Sequence, residues 1–88
     1  MTDISATERK SALLKKYSPE FLLRGLDWIA TPYENVALVL RMRLGLIDNR
    51  IFTLAAIAEI MSVSRERVRT IELKGVCMLE DWCNRTSQ

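Results

Sequence analysis

The sequence has no histidine, only two prolines, three glycines and two cysteines among 88 residues. Without histidine the commonest general base is missing, and no paired carboxylates or glycine-rich phosphate loop take its place, so an enzyme is not expected. Two cysteines without a third, and without histidine, are too few ligands for zinc. No metal or cofactor is expected. Cys77 and Cys83 stand six residues apart, about 600° along a helix, on different faces that cannot be bridged within one chain. One reads as a semi-buried thiol, and Cys83 as a thiol near a frayed end, where an intermolecular disulfide would be a preparation artefact. The longest apolar runs, such as Val36 to Leu40, are far too short to span a bilayer. Met1 to Lys10 is polar and lacks the apolar stretch of a secretion signal. A cytoplasmic chain with no membrane partner is expected. The net charge of +2 excludes a histone-like polycation, so any nucleic-acid surface must come from local clustering of arginines.

What is present is helical punctuation. Ser5 with Glu8 forms a capping box before a first helix, Ala6 to Tyr17, with Leu13, Leu14 and Tyr17 on one side. Ser18-Pro19 places a cap before proline at the first helical position and opens a second helix to about Ile29, with Phe21, Leu22, Leu26 and Ile29 at helical spacing. Thr31-Pro32-Tyr33-Glu34 repeats that logic for a third helix, which runs to about Arg43 and stops at Gly45. Leu46 to Phe52 read as a loop. Thr53 caps a short fourth helix, Leu54 to about Met61. Ser62-Val63 is a tight turn, and Ser64 caps a fifth helix from Arg65 to about Cys83. No segment alternates with a strand's period. The expectation is an all-α single domain, 1–88, of four to five helices. Residues 1–30 form an N-terminal extension packing on the core, 31–83 a helix-turn-helix domain, and 84–88 a frayed tail.

A short helix, a tight turn and a longer helix present a rod to the major groove. The inward residues are expected to be Leu54, Ile57, Ala58, Val63, Val68, Ile71 and Leu79, with Val63 plugging the turn and Gly75 allowing close packing. Outward, the fifth helix begins Arg65, Glu66, Arg67, Arg69, Thr70. Arginine can bond guanine bidentately, and a carboxylate can accept from the cytosine amino group. Arg67 and Arg69 can instead take phosphates, as can Arg41 and Arg43. Phosphates would repel Glu66, so its position makes sense mainly against a base. The bland alternative is a solvated face in which Glu66 pairs with Thr70 or a neighbouring arginine.

Arg41-Met42-Arg43-Leu44-Gly45-Leu46, Thr53-Leu54, Val63-Ser64-Arg65-Glu66-Arg67-Val68-Arg69 and Ile71-Glu72 resemble, in order and spacing, region 4 of bacterial sigma factors, their C-terminal domain. The resemblance covers about Pro32 to Leu79, and Ser-Arg-Glu-Arg-Val-Arg is its most discriminating string. It implies that Arg65, Glu66 and Arg69, with Thr70 beside them, meet bases of the promoter −35 element. It implies backbone contacts from Arg43 and Arg67, joined by Arg41, Thr53 and Ser64. It also implies that helices three to five grip the β flap of RNA polymerase, with Val36, Leu40, Leu44, Ile57 and Ile60 as partner-binding residues.

The chain departs from that family in several places. Thr70 replaces the usual glutamine, which should change or weaken readout at one base. Cys77, Met78 and Glu80 replace a typically basic run, and Glu80-Asp81 would repel phosphate. Val36, Ala37 and Leu38 replace residues that are often charged, leaving Val36 to Leu40 apolar on every face and calling for burial all round. Helix two, with Phe21, Leu22, Trp28 and Ile29, is the obvious cover, and Trp82 can join it; the other reading is a dimer or polymerase-facing patch. The 88 residues leave no room for a second domain recognising the −10 element, which a separate subunit would supply. The leading expectation is a free-standing regulator docking on polymerase and double-stranded promoter DNA, of a kind that fits phages, mobile elements or split sigma factors. Alternatives are a homodimeric helix-turn-helix repressor or activator acting without polymerase, and an adaptor that occupies the sigma site without reading DNA.

Overall fold

The computed structural model describes residues 6–86. Five helices follow in chain order: α1 (Ala6–Lys16), α2 (Pro19–Ala30), α3 (Glu34–Arg43), α4 (Leu54–Met61) and α5 (Arg65–Thr86). Ser5, and with it the capping box expected at α1, lies outside the described residues. The Ser18 hydroxyl accepts from Phe21 N at 3.2 Å, with Pro19 at the first helical position of α2. The second cap-proline pair behaves differently. Thr31 keeps helical dihedrals as the C-cap of α2, and its hydroxyl donates back to the Asp27 carbonyl at 3.4 Å. Pro32 therefore sits in the turn, and α3 begins only at Glu34, with Tyr33 as a cap that makes no side-chain bond.

α3 is the centre of the molecule and is buried on both faces. One face carries Val36, Ala37, Leu40 and Leu44 into a core shared with Leu13 of α1, Leu22, Leu26 and Ile29 of α2, and Val76, Leu79 and Cys83 of α5. The other carries Val39 and Met42 against Ile57 and Ala58 of α4 and Val68 of α5. Each fully buried branched side chain contributes about 1.5–3 kcal/mol, so α3 couples the N-terminal helices to the helix-turn-helix. Two glycines set how closely α5 can approach. A Cβ on Gly75 would stand 2.9 Å from Leu40 Cγ and Val36 Cγ1, and one on Gly25 would stand 2.6 Å from Trp82 Cε3. The close approach expected at Gly75 is therefore present, and Gly25 makes a second one. Trp82 also packs on Phe21, ring centroids 4.9 Å apart, and Phe21 on Tyr17 at 5.0 Å.

The segment between α3 and α4 is more ordered than a plain loop. Gly45 takes φ +72°, and Leu46 N donates to Arg41 O at 3.0 Å, closing the Schellman pattern. Asp48 and Asn49 both have positive φ, and Ile47 bridges Arg50 across them. This is the geometry of a tight two-residue hairpin turn, for which Asp-Asn is suited. Phe52 N then donates to Met42 O at 3.0 Å, tying the segment to α3.

Other expectations are revised. Val63 does not plug the turn but is 38% exposed, because left-handed Ser62 turns the chain so that Val63 contributes its backbone, donating to Ala58 O at 3.0 Å. Cys83 is buried in the core and Cys77 is the exposed thiol, since α5 continues past Cys83 to Thr86, held by Arg85 on Asp81 at 3.0 Å. Burial pushes the Cys83 thiol pKa up. Ser62 holds φ 58° without being glycine. Ser62→Gly is expected to raise stability by about 0.5–1 kcal/mol through relief of that conformation. A lower urea midpoint would show that the serine side chain holds the turn.

Candidate nucleic-acid interface

α4, the turn and α5 form the presenting unit. Thr53 accepts from Ala56 N at 3.0 Å and Ser64 from Arg67 N at 3.1 Å, so each hydroxyl caps its helix and keeps its own proton to donate. Both helix N-termini lie at the surface, where free backbone N–H groups favour anions. α5 is fixed from below by Val68, which is fully buried. At about 100° per residue, Glu66 and Thr70 then point nearly opposite Val68, Arg65 and Arg69 share one flank, and Arg67 takes the other. All five are exposed.

Leu54, Ser64, Arg65, Glu66 and Arg69 line one shallow depression. Arg69 and Glu66 approach to 3.9 Å with both side chains mostly in solvent, a weak pairing that exchanges readily for a ligand. Among the described residues, Arg65 and Arg67 have no ion pair with the body of the protein, and both are exposed. The Thr70 hydroxyl donates to Glu66 O at 3.0 Å. This surface offers two guanidinium groups, a carboxylate and a short side chain on a rigid rod, the donor and acceptor set that reads base edges.

The arginines of α3 are placed differently. Arg41 bonds Asp27 at 2.6 Å, and Asp27 is 73% exposed, so that pair lies at the surface. Arg43 is turned inward, its Nε 2.6 Å from Glu72 and its Nη1 donating to Phe52 O at 2.9 Å. The expectation that Arg43 meets a phosphate is therefore corrected, because its guanidinium neutralises a carboxylate that is itself only 3% exposed. Lys10 of α1 takes the same carboxylate at 2.5 Å. This Lys10–Glu72–Arg43 triad was not legible as such. The available signal was Glu72 falling in line with Val68, Val76 and Leu79, an apolar stripe in which a charge must find a cation.

The acidic end of α5 is also covered. Glu80 is held by Arg9 of α1 and Asp81 by Arg85, so the repulsion expected from Glu80-Asp81 is largely neutralised. The Arg9 guanidinium pKa is raised by its bond to Glu80, and further by one to Cys77. Of the partner-binding residues expected, Val36, Leu40, Leu44 and Ile57 are at most 7% exposed. α2 and α5 cover one face of α3 and α4 the other, leaving no contact surface there. Ile60 differs, at 58% exposed.

A short capped helix, a left-handed turn and a longer helix with a basic, exposed first turn define a helix-turn-helix DNA-binding domain. The family model for sigma-70, region 4, matches residues 34–79, and the chain belongs to that family. It is also 39% identical over 72 residues to RNA polymerase sigma factor sigB of Arabidopsis thaliana. That alignment takes in 82% of this chain and 12% of the plant protein. No solved structure matches the chain. The molecule thus carries a sigma-like DNA-binding region, and no described helix is long and apolar enough to cross a membrane.

Proposed function

We propose that this chain is a transcription regulator that docks on RNA polymerase, at the β flap, and lays the first turns of α5 in the major groove of a −35-type promoter element. Arg65, Glu66, Arg69 and Thr70 meet bases. Arg41, Thr53, Ser64 and Arg67 hold the phosphates on either side. The observation that carries this reading is the exposed Arg65–Glu66–Arg69 set, free of the body and rigidly mounted on a helix whose opposite side is locked. A lone helix-turn-helix buries too little surface for tight specific binding. Polymerase supplies the missing affinity by raising the effective concentration at the promoter. Of Val36, Leu40, Leu44, Ile57 and Ile60, Ile60 is the one exposed for that docking surface.

Arg65→Ala is expected to cost about 1–3 kcal/mol at the preferred base pair and little at its variants. Fluorescence anisotropy on a matched and mismatched duplex series measures this. Equal weakening on every sequence would reduce Arg65 to a phosphate contact. Docking is tested by retention of the full chain on immobilised β flap, and no retention would remove polymerase from the proposal.

A further inference from the structure

The structure leaves Thr70 a methyl group and hydroxyl lone pairs to offer a base, but no proton. Its hydroxyl proton is engaged within α5, donated to the carbonyl of Glu66 one turn earlier at 3.0 Å, the usual back-bond of threonine in a helix. The other heavy substituent on its β-carbon is a methyl group, and the residue is exposed. Thr70 lies only about 40° around the helix from Glu66, on the side of α5 away from buried Val68. In the major groove thymine alone of the four bases carries an apolar group, its C5-methyl. We propose that Thr70 selects thymine by methyl contact, at a position neighbouring the base pair met by Glu66. The assignment rests on α5 entering the groove and adds the base and the group that it reads there.

The test uses the full chain and a randomised duplex pool at low salt, where backbone attraction supports binding. In the preferred duplex each thymine is then replaced singly by deoxyuridine, which removes only the methyl. The wild type is expected to lose about three- to fivefold in affinity at one position, the scale of one buried methyl. Thr70→Ser keeps the hydroxyl and should bind thymine and deoxyuridine equally there, whereas Thr70→Val keeps a methyl and should retain the preference. Discrimination that persists in Thr70→Ser would give the methyl contact to another residue, and discrimination that vanishes in Thr70→Val would make the hydroxyl the group that sets it; either result would overturn the proposal. An Arg65-dependent sequence preference with no deoxyuridine effect would overturn the thymine assignment alone. No preferred sequence, with Arg65→Ala binding like wild type, would overturn the groove reading as well.

Discussion

Glu72→Ala is expected to lower folding stability by about 3–5 kcal/mol, the range for removing one partner of a buried ion pair. The carboxylate is 3% exposed and meets Lys10 at 2.5 Å and Arg43 at 2.6 Å, with those cations only 8% and 16% exposed. Its loss strands two positive charges against an apolar core. A domain of this size has about 5–15 kcal/mol in total, so the variant should be partly unfolded near physiological temperature. Lys10→Met should be milder, since Arg43 still neutralises Glu72. Urea denaturation followed by tryptophan fluorescence measures both, with half-buried Trp82, packed against the core, as reporter. A Glu72→Ala loss below about 0.5 kcal/mol, the level of ordinary surface changes, would show that the triad does not hold the fold.

Arg43→Ala should likewise act on folding rather than on DNA. It removes the bonds to Glu72 and to the Phe52 carbonyl but leaves Lys10 on the carboxylate, so the expected cost is about 2–3 kcal/mol. For the folded fraction, the dependence of DNA affinity on salt should match that of the wild type. Arg67→Ala, by contrast, should reduce the salt slope by about one phosphate equivalent. Unchanged stability with a flattened salt slope for Arg43→Ala would mean that the guanidinium leaves Glu72 for the backbone. That exchange is unfavourable here because it leaves the Glu72 carboxylate with Lys10 alone.

Much of the fold was legible because local chemistry wrote it. Ser18-Pro19, Thr53 and Ser64 cap helices where the sequence places them, and Gly45 is left-handed where a helix must stop. Val36 to Leu40, apolar on all sides, is enclosed on both faces. Local signals failed where a residue has two uses. Thr31 has the chemistry of an N-cap, yet in the turn of α2 its hydroxyl returns to a carbonyl. Arg43 resembles a phosphate contact in sequence, and only the packing of α1 and α5 around it shows which anion it meets. Cys83 lies near the chain end, and its burial depends on α1 and α2 arriving from far away in sequence.

For the helix-turn-helix, then, the sequence alone determined that it exists, where it starts and turns, and that Arg65, Glu66 and Arg69 lie along its exposed edge. These follow from capping and a period of about 3.6 residues, which act between near neighbours. The tertiary structure decided which charges remain available to a ligand. Lys10 and Glu72 are 62 residues apart in the chain, so no local pattern could match them. It turned Arg43 inward onto Glu72, enclosed the apolar face of α3 and paired Glu80 with Arg9, while the charged side chains in the first turns of α5 stay exposed.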